Sequence, residues 1–334
     1  MQQFFNRKKI YLRFVILFIM LTPFEHIFAQ TKKPSAEVQK LFLQAVGSND
    51  LEKVKLFLEN GASSNFYEPR TLYWETKIGE GGEDPLIRAI LFKANDVAVF
   101  LIQYDRSTLL SRQIVDAYKR PVYKRHPLQI AIRLKNEKMI EILLQEIFNP
   151  TGGDKKLNET IKNDALASGA ADQALSNEDL GMLAKLKEYG FTVSQKGLDD
   201  LLYSSTPDCS KYDFCKILLE MGANHSKCKN ISGAGLERYR NPMTVAAWNG
   251  CNEIQKLLLE YGCSVNISCD RSPESPLFIA VRKENNLEFI KFLIEKGADV
   301  NFIGIPNYQY SDKKSILQVC RAEYKEFLIL NGAR

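Results

Sequence analysis

Apolar residues recur at helical spacing along most of the chain, in short blocks divided by glycine and polar turns. In one such block, Ile254, Leu257 and Leu258 fall on one face of a helix over 254–261. Gly262 follows the block, and a glycine at that place ends a helix in the left-handed conformation. The pattern predicts a short amphipathic helix with a defined end.

The same glycine phrase recurs at a fixed interval. It begins at Gly262, Gly297 and Gly332, so successive copies lie 35 residues apart, and Gly61 and Gly222 begin further copies. Two of them read Gly-Ala-x-x-Asn, over 61–65 and 297–301. A period of this length is typical of repeat architectures.

A second phrase precedes several of these blocks and predicts another helix. It places a polar residue before proline, with alanine four residues after the proline. The copies lie at 84–89, 126–131, 241–246 and 275–280. Proline at the first helical position loses only an amide that has no helical partner, and the polar residue can cap the helix. Each repeat therefore predicts two helices joined by a polar turn.

These phrases together resemble the ankyrin repeat, a turn followed by two antiparallel helices. The resemblance covers nearly all of 38–334 and implies an all-α ankyrin-repeat solenoid of about eight helix-turn-helix repeats with extended β-turn finger loops. The clear repeats span 38–66, 84–108, 126–150, 241–267, 275–302 and 314–334, and the degenerate repeats span 157–194 and 196–227. The family's Thr-Pro-Leu-His tetrapeptide is absent, which puts its usual inter-repeat hydrogen bonds in doubt.

The first 29 residues have the pattern of a secretory signal peptide. Arg7, Lys8, Lys9 and Arg13 precede a short apolar run over 14–21, and Ala29 offers a cleavage point before a linker at 30–37. The run is shorter than the ~20 residues that span a bilayer. We expect a cleaved signal, with a retained anchor as the alternative, and a periplasmic or secreted protein with no stable membrane span after cleavage.

Charge and cysteine content narrow the class of partner. Without 1–29 the chain keeps 41 basic and 39 acidic residues, because four basic residues and Glu25 are removed. This small excess gives little attraction for nucleic acid. All seven cysteines remain, and an oxidising compartment permits disulfides. Cys228 and Cys269 form a candidate pair in neighbouring loops, whereas Cys215 and Cys320 fit core positions.

The loops that exceed the minimal repeat are rich in aromatic and basic residues. We call these segments the fingers, over 66–83, 104–125, 225–240 and 303–313. Tyr, Trp and Arg dominate binding hot spots. The candidate partner-binding residues are Tyr73, Trp74, Tyr118, Lys119, Arg120, Tyr123, Lys124, Arg125, Arg238, Tyr239, Arg240, Tyr308 and Tyr310. Alternatively, these side chains fasten long loops to their own repeats, or meet an anionic lipid or glycan.

Motifs for catalysis are not evident. No nucleophile elbow or phosphate-binding loop occurs. His126 has no Cys or His within a helical turn. His225 could form a surface metal site only together with Cys228 and Cys269. We expect no catalytic residues, cofactor or metal. The leading hypothesis is a monomeric, non-catalytic scaffold that binds an acidic protein through its fingers and concave helix face. The alternative is an inhibitor or immunity-type protein that blocks an exported enzyme.

Overall fold

The computed structural model describes residues 36–65, 84–115, 121–230, 239–270, 273–283, 287–306 and 312–334, with the backbone alone for both strands of 112–125. The predicted signal peptide lies outside these residues. Two compact units form, one of 1–177 with 181–191 and the other of 178–180 with 192–334. The described residues are mostly helical, in pairs separated by tight turns.

The first unit contains nine of the helices that the structure describes. They are α1 (Ala36–Gly47), α2 (Leu51–Glu59), α3 (Pro85–Leu91), α4 (Asn95–Tyr104), α5 (Pro127–Arg133), α6 (Glu137–Phe148), α7 (Lys155–Leu166), α8 (Ala170–Ser176) and α9 (Leu180–Glu188). A short 3-10 helix at Arg106–Leu109 follows α4. The first helices of successive pairs stack in the order α1, α3, α5 and α8.

The stretch 157–194 differs from the single helix pair that its sequence predicted. Helix α7 is an additional helix, which packs on α6 and the 3-10 turn. The pair that continues the stack is α8 with α9. Helix α7 lacks the proline phrase and buries only Ile161 and Ala165, so its sequence does not mark it as a repeat helix.

The second unit is built of four helix pairs among its described residues. They are α10 (Gln195–Ser205) with α11 (Tyr212–Glu220), α12 (Pro242–Trp248) with α13 (Asn252–Glu260), α14 (Pro276–Ala280) with α15 (Leu287–Glu295), and α16 (Ile316–Val319) with α17 (Ala322–Leu330). A 3-10 turn, Cys209–Lys211, precedes α11. The first helices α10, α12 and α14 stack in succession, and α11 stacks on α13.

The proline phrase begins helices and the glycine phrase ends them, as predicted. Helices α3, α5, α12 and α14 begin at the four prolines, and each preceding polar side chain accepts a main-chain N–H of the first turn. At Asn241 the cap is reciprocal with Thr244. The closing glycines have φ between +87° and +92°, as at Gly262 and Gly332. Both predictions are confirmed.

Neighbouring repeats are joined through the last residue of the glycine phrase. Asn266 donates from Nδ2 to the Gly297 carbonyl at 3.0 Å and accepts the Asp299 N–H at 2.7 Å. Asn301 makes the matching pair with Gly332 and Arg334, at 3.1 and 2.9 Å. These amide bridges supply an inter-repeat link in a chain that lacks the Thr-Pro-Leu-His tetrapeptide.

Candidate functional site

Three antiparallel hairpins form the bases of fingers. Strand β1 (Arg112–Val115) pairs with β2 (Pro121–Arg125), β3 (Lys229–Asn230) with β4 (Tyr239–Arg240), and β5 (Ile303–Gly304) with β6 (Lys314–Ser315). The candidate residues Tyr123, Lys124 and Arg125 lie on β2, where only the backbone is described. The others outside the described residues are Tyr73, Trp74, Tyr118, Lys119, Arg120, Arg238, Tyr308 and Tyr310.

Of the predicted contact residues, Tyr239 and Arg240 are the two whose side chains are described. The Tyr239 hydroxyl accepts a hydrogen bond from Asn230 Nδ2 across the hairpin, at 3.4 Å. The Arg240 guanidinium lies 4.2 Å from the centre of the Trp248 ring, and its side chain is only 12% exposed. Arg240 therefore fastens its finger to the helix pair beneath it, as in the alternative interpretation, while its charge contributes to a larger group.

That group, which we call the cation–indole cluster, consists of Arg240, Trp248, Glu274, Arg282 and Lys283. Trp248 is the last residue of α12, and Arg282 and Lys283 follow α14, the first helix of the next pair. Because α12 and α14 stack, the ends of two adjacent first helices bring the indole and two cations together. Arg240 reaches the same place from β4, immediately before α12.

A buried carboxylate organises the cluster. Glu274 is 2% exposed and accepts the indole N–H of Trp248 at 3.0 Å. Its other oxygen binds Arg282 at 2.6 Å, and Arg240 lies 3.9 Å away. Arg282 also donates to the Pro306 carbonyl at 2.6 Å, which ties in the next finger. Burial of a carboxylate is tolerated because these donors replace its water.

Among the residues that the structure describes, the cluster brings three cations and one carboxylate together. Lys283 Nζ lies 4.5 Å from the centre of the Trp248 ring and donates to the Trp248 carbonyl. Burial lowers the Lys283 pKa, and the charges of Arg240 and Arg282 lower it further against the opposing effect of Glu274. In this part of the structure, the described side chains therefore place more positive than negative charge against an aromatic surface.

An aromatic side chain of the preceding helix pair continues this surface. Tyr203 on α10 lies close enough to Arg240 for the guanidinium to oppose the rise that burial causes in the Tyr203 pKa. Lys229 lies 4.9 Å from the centre of the Tyr203 ring and forms an ion pair with Asp200. Tyr203 on α10 and Trp248 on α12 thus both lie beside basic side chains, those of Lys229 and Arg240.

Two disulfides join the helix pair of α10 and α11 to that of α12 and α13. Cys228 bonds to Cys269, the pair that the sequence made a candidate, and Cys209 bonds to Cys251, a pair that the sequence did not indicate. The Cys228–Cys269 bond lies beside the finger at 225–240. The Cys209–Cys251 bond lies at the turns that join the two helices of each pair. Tyr203 and Trp248 are therefore carried by covalently linked repeats.

The remaining cysteines are poor nucleophiles. Burial raises the pKa of Cys215 to about 11 and that of Cys263 to about 12. Cys215 is a core residue as predicted, whereas Cys320 is partly exposed at the end of α16. The described part of the chain contains no group of three potential metal ligands. Within it, too, no helix is long and apolar enough to cross a membrane.

Sequence reasoning missed Trp248, Glu274, Arg282 and Lys283 because it looked for contacts in the long fingers. A signal was available. Trp248 and Arg282 each stand two residues after the alanine of the proline phrase, so they occupy the same position in adjacent repeats. Comparing repeats column by column therefore predicts that these two side chains are neighbours.

The fold and the site define a class of helix-pair repeat protein with a basic, aromatic surface on its first helices. Residues 203–303 match the family model for ankyrin repeats, which describes three copies. This segment, which contains the cation–indole cluster, therefore consists of ankyrin repeats. Ankyrin repeats are generally non-catalytic modules of protein–protein interaction.

Part of the chain is also similar to a curated protein. The chain is 35% identical over 66 residues to BRCA1-associated RING domain protein 1 of Caenorhabditis elegans. The match covers 20% of this chain and 9% of that protein. The chain thus spans a small part of the relative's length.

Proposed function

We propose that this chain is a non-catalytic binding protein, exported to the cell envelope, that holds an acidic protein partner. The observation that carries the proposal is the cation–indole cluster, in which the described residues place three cations beside an indole, with Glu274 bound to Arg282 and 3.9 Å from Arg240. A salt-bridged fastening of the finger needs only one matched pair. The surplus charge favours a negatively charged partner.

A finger of the first unit offers a second candidate contact. The basic residues Arg120, Lys124 and Arg125 belong to the finger between α4 and α5, in the first unit. We propose that this finger makes separate contacts with the partner and raises its affinity. Charge reversal at these three residues is expected to weaken capture of the partner, and unchanged capture would remove the finger from the proposal.

Export is proposed from the sequence of 1–29 and is supported by the two disulfides. Disulfides persist in oxidising compartments and are rare in reducing ones. Fractionation of the native host tests this step: the mature chain should begin near Gln30 and be found outside the cytoplasm. A full-length chain in the cytoplasm would contradict export.

The test of the binding function is capture from an envelope fraction by the mature chain, followed by mass spectrometry. A matched bait with Arg240→Glu and Lys283→Glu serves as the control for specific capture. The proposal expects an acidic protein that the wild-type bait retains and the control loses. If the partner is an enzyme whose activity falls on binding, the inhibitor or immunity role replaces the scaffold role.

A further inference from the structure

The cluster contains two layers of charge, and the inner layer is complete. Glu274 binds Arg282 through one oxygen and the indole N–H through the other, with Arg240 at 3.9 Å. Because Glu274 is 2% exposed, an incoming group cannot readily replace it. Within the inner layer, Glu274 offsets the charges of Arg282 and Arg240 and holds the indole in a fixed orientation.

Lys283 forms the outer layer. Its ammonium lies over the Trp248 ring and donates one hydrogen bond to the Trp248 carbonyl at the end of α12. An ammonium has three N–H donors. Within the part of the chain that the structure describes, Lys283 forms no ion pair, and its side chain is partly exposed. With one hydrogen bond to the Trp248 carbonyl and a partly exposed side chain, the ammonium can donate to a further acceptor.

We infer that Lys283 receives a carboxylate side chain of the partner, seated against Trp248 beside the inner layer. This deepens the proposed function and rests on it. A carboxylate suits the place because it accepts several hydrogen bonds and offsets the repulsion of Lys283 by Arg240 and Arg282. The neighbouring aromatic Tyr203 and the ion pair of Lys229 with Asp200 extend the contact along the first helices.

Proximity to an aromatic ring makes this ion pair stronger than one on an open surface. Exposed pairs contribute little because water screens both charges. At Lys283 the indole excludes water from one side of the ammonium, and burial already lowers its pKa. A partner carboxylate thus replaces part of the hydration that the Lys283 ammonium loses on folding.

The experiment uses the mature chain with Trp74→Phe, which leaves Trp248 as its single tryptophan. The probes are two peptides of equal length, one of alternating Glu and Gly and one of alternating Gln and Gly. Trp248 fluorescence reports binding at low and at physiological salt. We expect the Glu peptide to bind with an affinity that falls as salt rises, and the Gln peptide to leave the emission unchanged.

Variants at Lys283 separate charge from packing. Lys283→Gln should weaken binding of the Glu peptide about tenfold, the scale of one partly desolvated ion pair, while Lys283→Arg should restore it. The matched control is Lys256→Gln, because Lys256 also lies over an aromatic ring, 5.6 Å from the centre of Phe292, on a second-helix surface. Its substitution should leave affinity unchanged. Equal thermal unfolding of the variants verifies folding.

Several results would overturn the inference. Equal binding of both peptides, or no effect of Lys283→Gln, would remove Lys283 as the carboxylate site. Binding of heparin or anionic vesicles as tight as that of the Glu peptide, and equally dependent on Lys283, would assign a general polyanion site instead. If Lys283→Gln still captures the envelope partner fully, this inference fails while the proposed function stands. If the wild-type chain captures no partner, the proposed function itself fails.

Discussion

Acid should destabilise the first unit through a single buried histidine. His126 is 1% exposed and caps α5, where its Nδ1 accepts the N–H of Leu128 at 3.1 Å. Its Nε2 is buried and has no hydrogen-bond partner among the described residues. Burial lowers the His126 pKa to about 4, against a smaller opposing effect of Asp164. The folded protein therefore holds this imidazole in its neutral form.

The direction of the pH effect follows from the two pKa values. The unfolded chain binds a proton near pH 6.5, whereas the folded chain resists it until about pH 4. The stability that the neutral histidine contributes is complete above pH 6.5 and is lost as the pH falls. Linkage gives a loss of about 2 kcal/mol at pH 5 and about 3.4 kcal/mol when the full shift is spanned.

The control is His126→Asn, because Asn241 caps α12 at the corresponding position through the same first turn. Asparagine keeps an acceptor at the cap and cannot titrate. Urea unfolding at pH 7.5 and pH 5, with hydrogen exchange of the α5 amides as the local measure, compares the two proteins. The wild type should lose about 2 kcal/mol more than the variant, and its imidazole resonance should titrate near pH 4.

Equal acid losses in the two proteins would refute this reasoning, because carboxylates elsewhere affect both alike. A His126 resonance that titrated near pH 6.5 would refute it independently. Either result would show that the cap is open to water, contrary to the burial seen at α5.

Three further predictions concern the repeats. Gly250 has φ +71° in the turn before α13, and Lys135, at the corresponding position before α6, has φ +51°. In urea unfolding, Gly250→Ala should therefore lower the free energy of unfolding by about 1 kcal/mol, and Lys135→Gly should raise it by up to about 1 kcal/mol. Changes of the opposite sign would contradict the turn geometry. Asn266→Ala removes both hydrogen bonds to the next repeat and should lower the free energy of unfolding by about 1 to 2 kcal/mol. Asn301→Ala should speed amide hydrogen exchange in the last helix pair alone. Equal exchange rates in the wild type and the variants would contradict the amide bridges. Replacing Cys228 and Cys269 with serine removes a disulfide between residues 41 apart in sequence. By the chain-entropy relation, the free energy of unfolding should fall by about 4 kcal/mol. Cys320→Ser is the control, and equal melting temperatures of the two variants would contradict the crosslink.

The sequence specified helix starts and ends well because each rests on one or two residues. Pro242 and Gly262 act locally, through a fixed φ and a left-handed φ, so their consequences do not depend on distant contacts. The disulfide candidates were harder, since pairing depends on which loops meet. Cys228 and Cys269 lie in corresponding loops, whereas Cys209 lies in a 3-10 turn that neither repeat phrase predicts.

The cation–indole cluster could not be predicted from the fingers alone. Its members come from β4, the end of α12, the loop before α14 and the residues after α14, so only stacked repeats bring them together. Arg240 was found by composition, but its burial against Trp248 was not. Composition identifies a residue suited to binding, while packing decides whether its side chain faces a partner or its own repeat.

The central claim is that the first-helix surface around Trp248 holds the partner. A photo-crosslinking amino acid at Tyr203, beside the cluster, tests it in the exported protein under native conditions, with the same label at Phe292 on the second-helix surface as the control. The account predicts crosslinks from Tyr203 to an acidic segment of one envelope protein and none from Phe292. Crosslinks from Phe292 alone would contradict it.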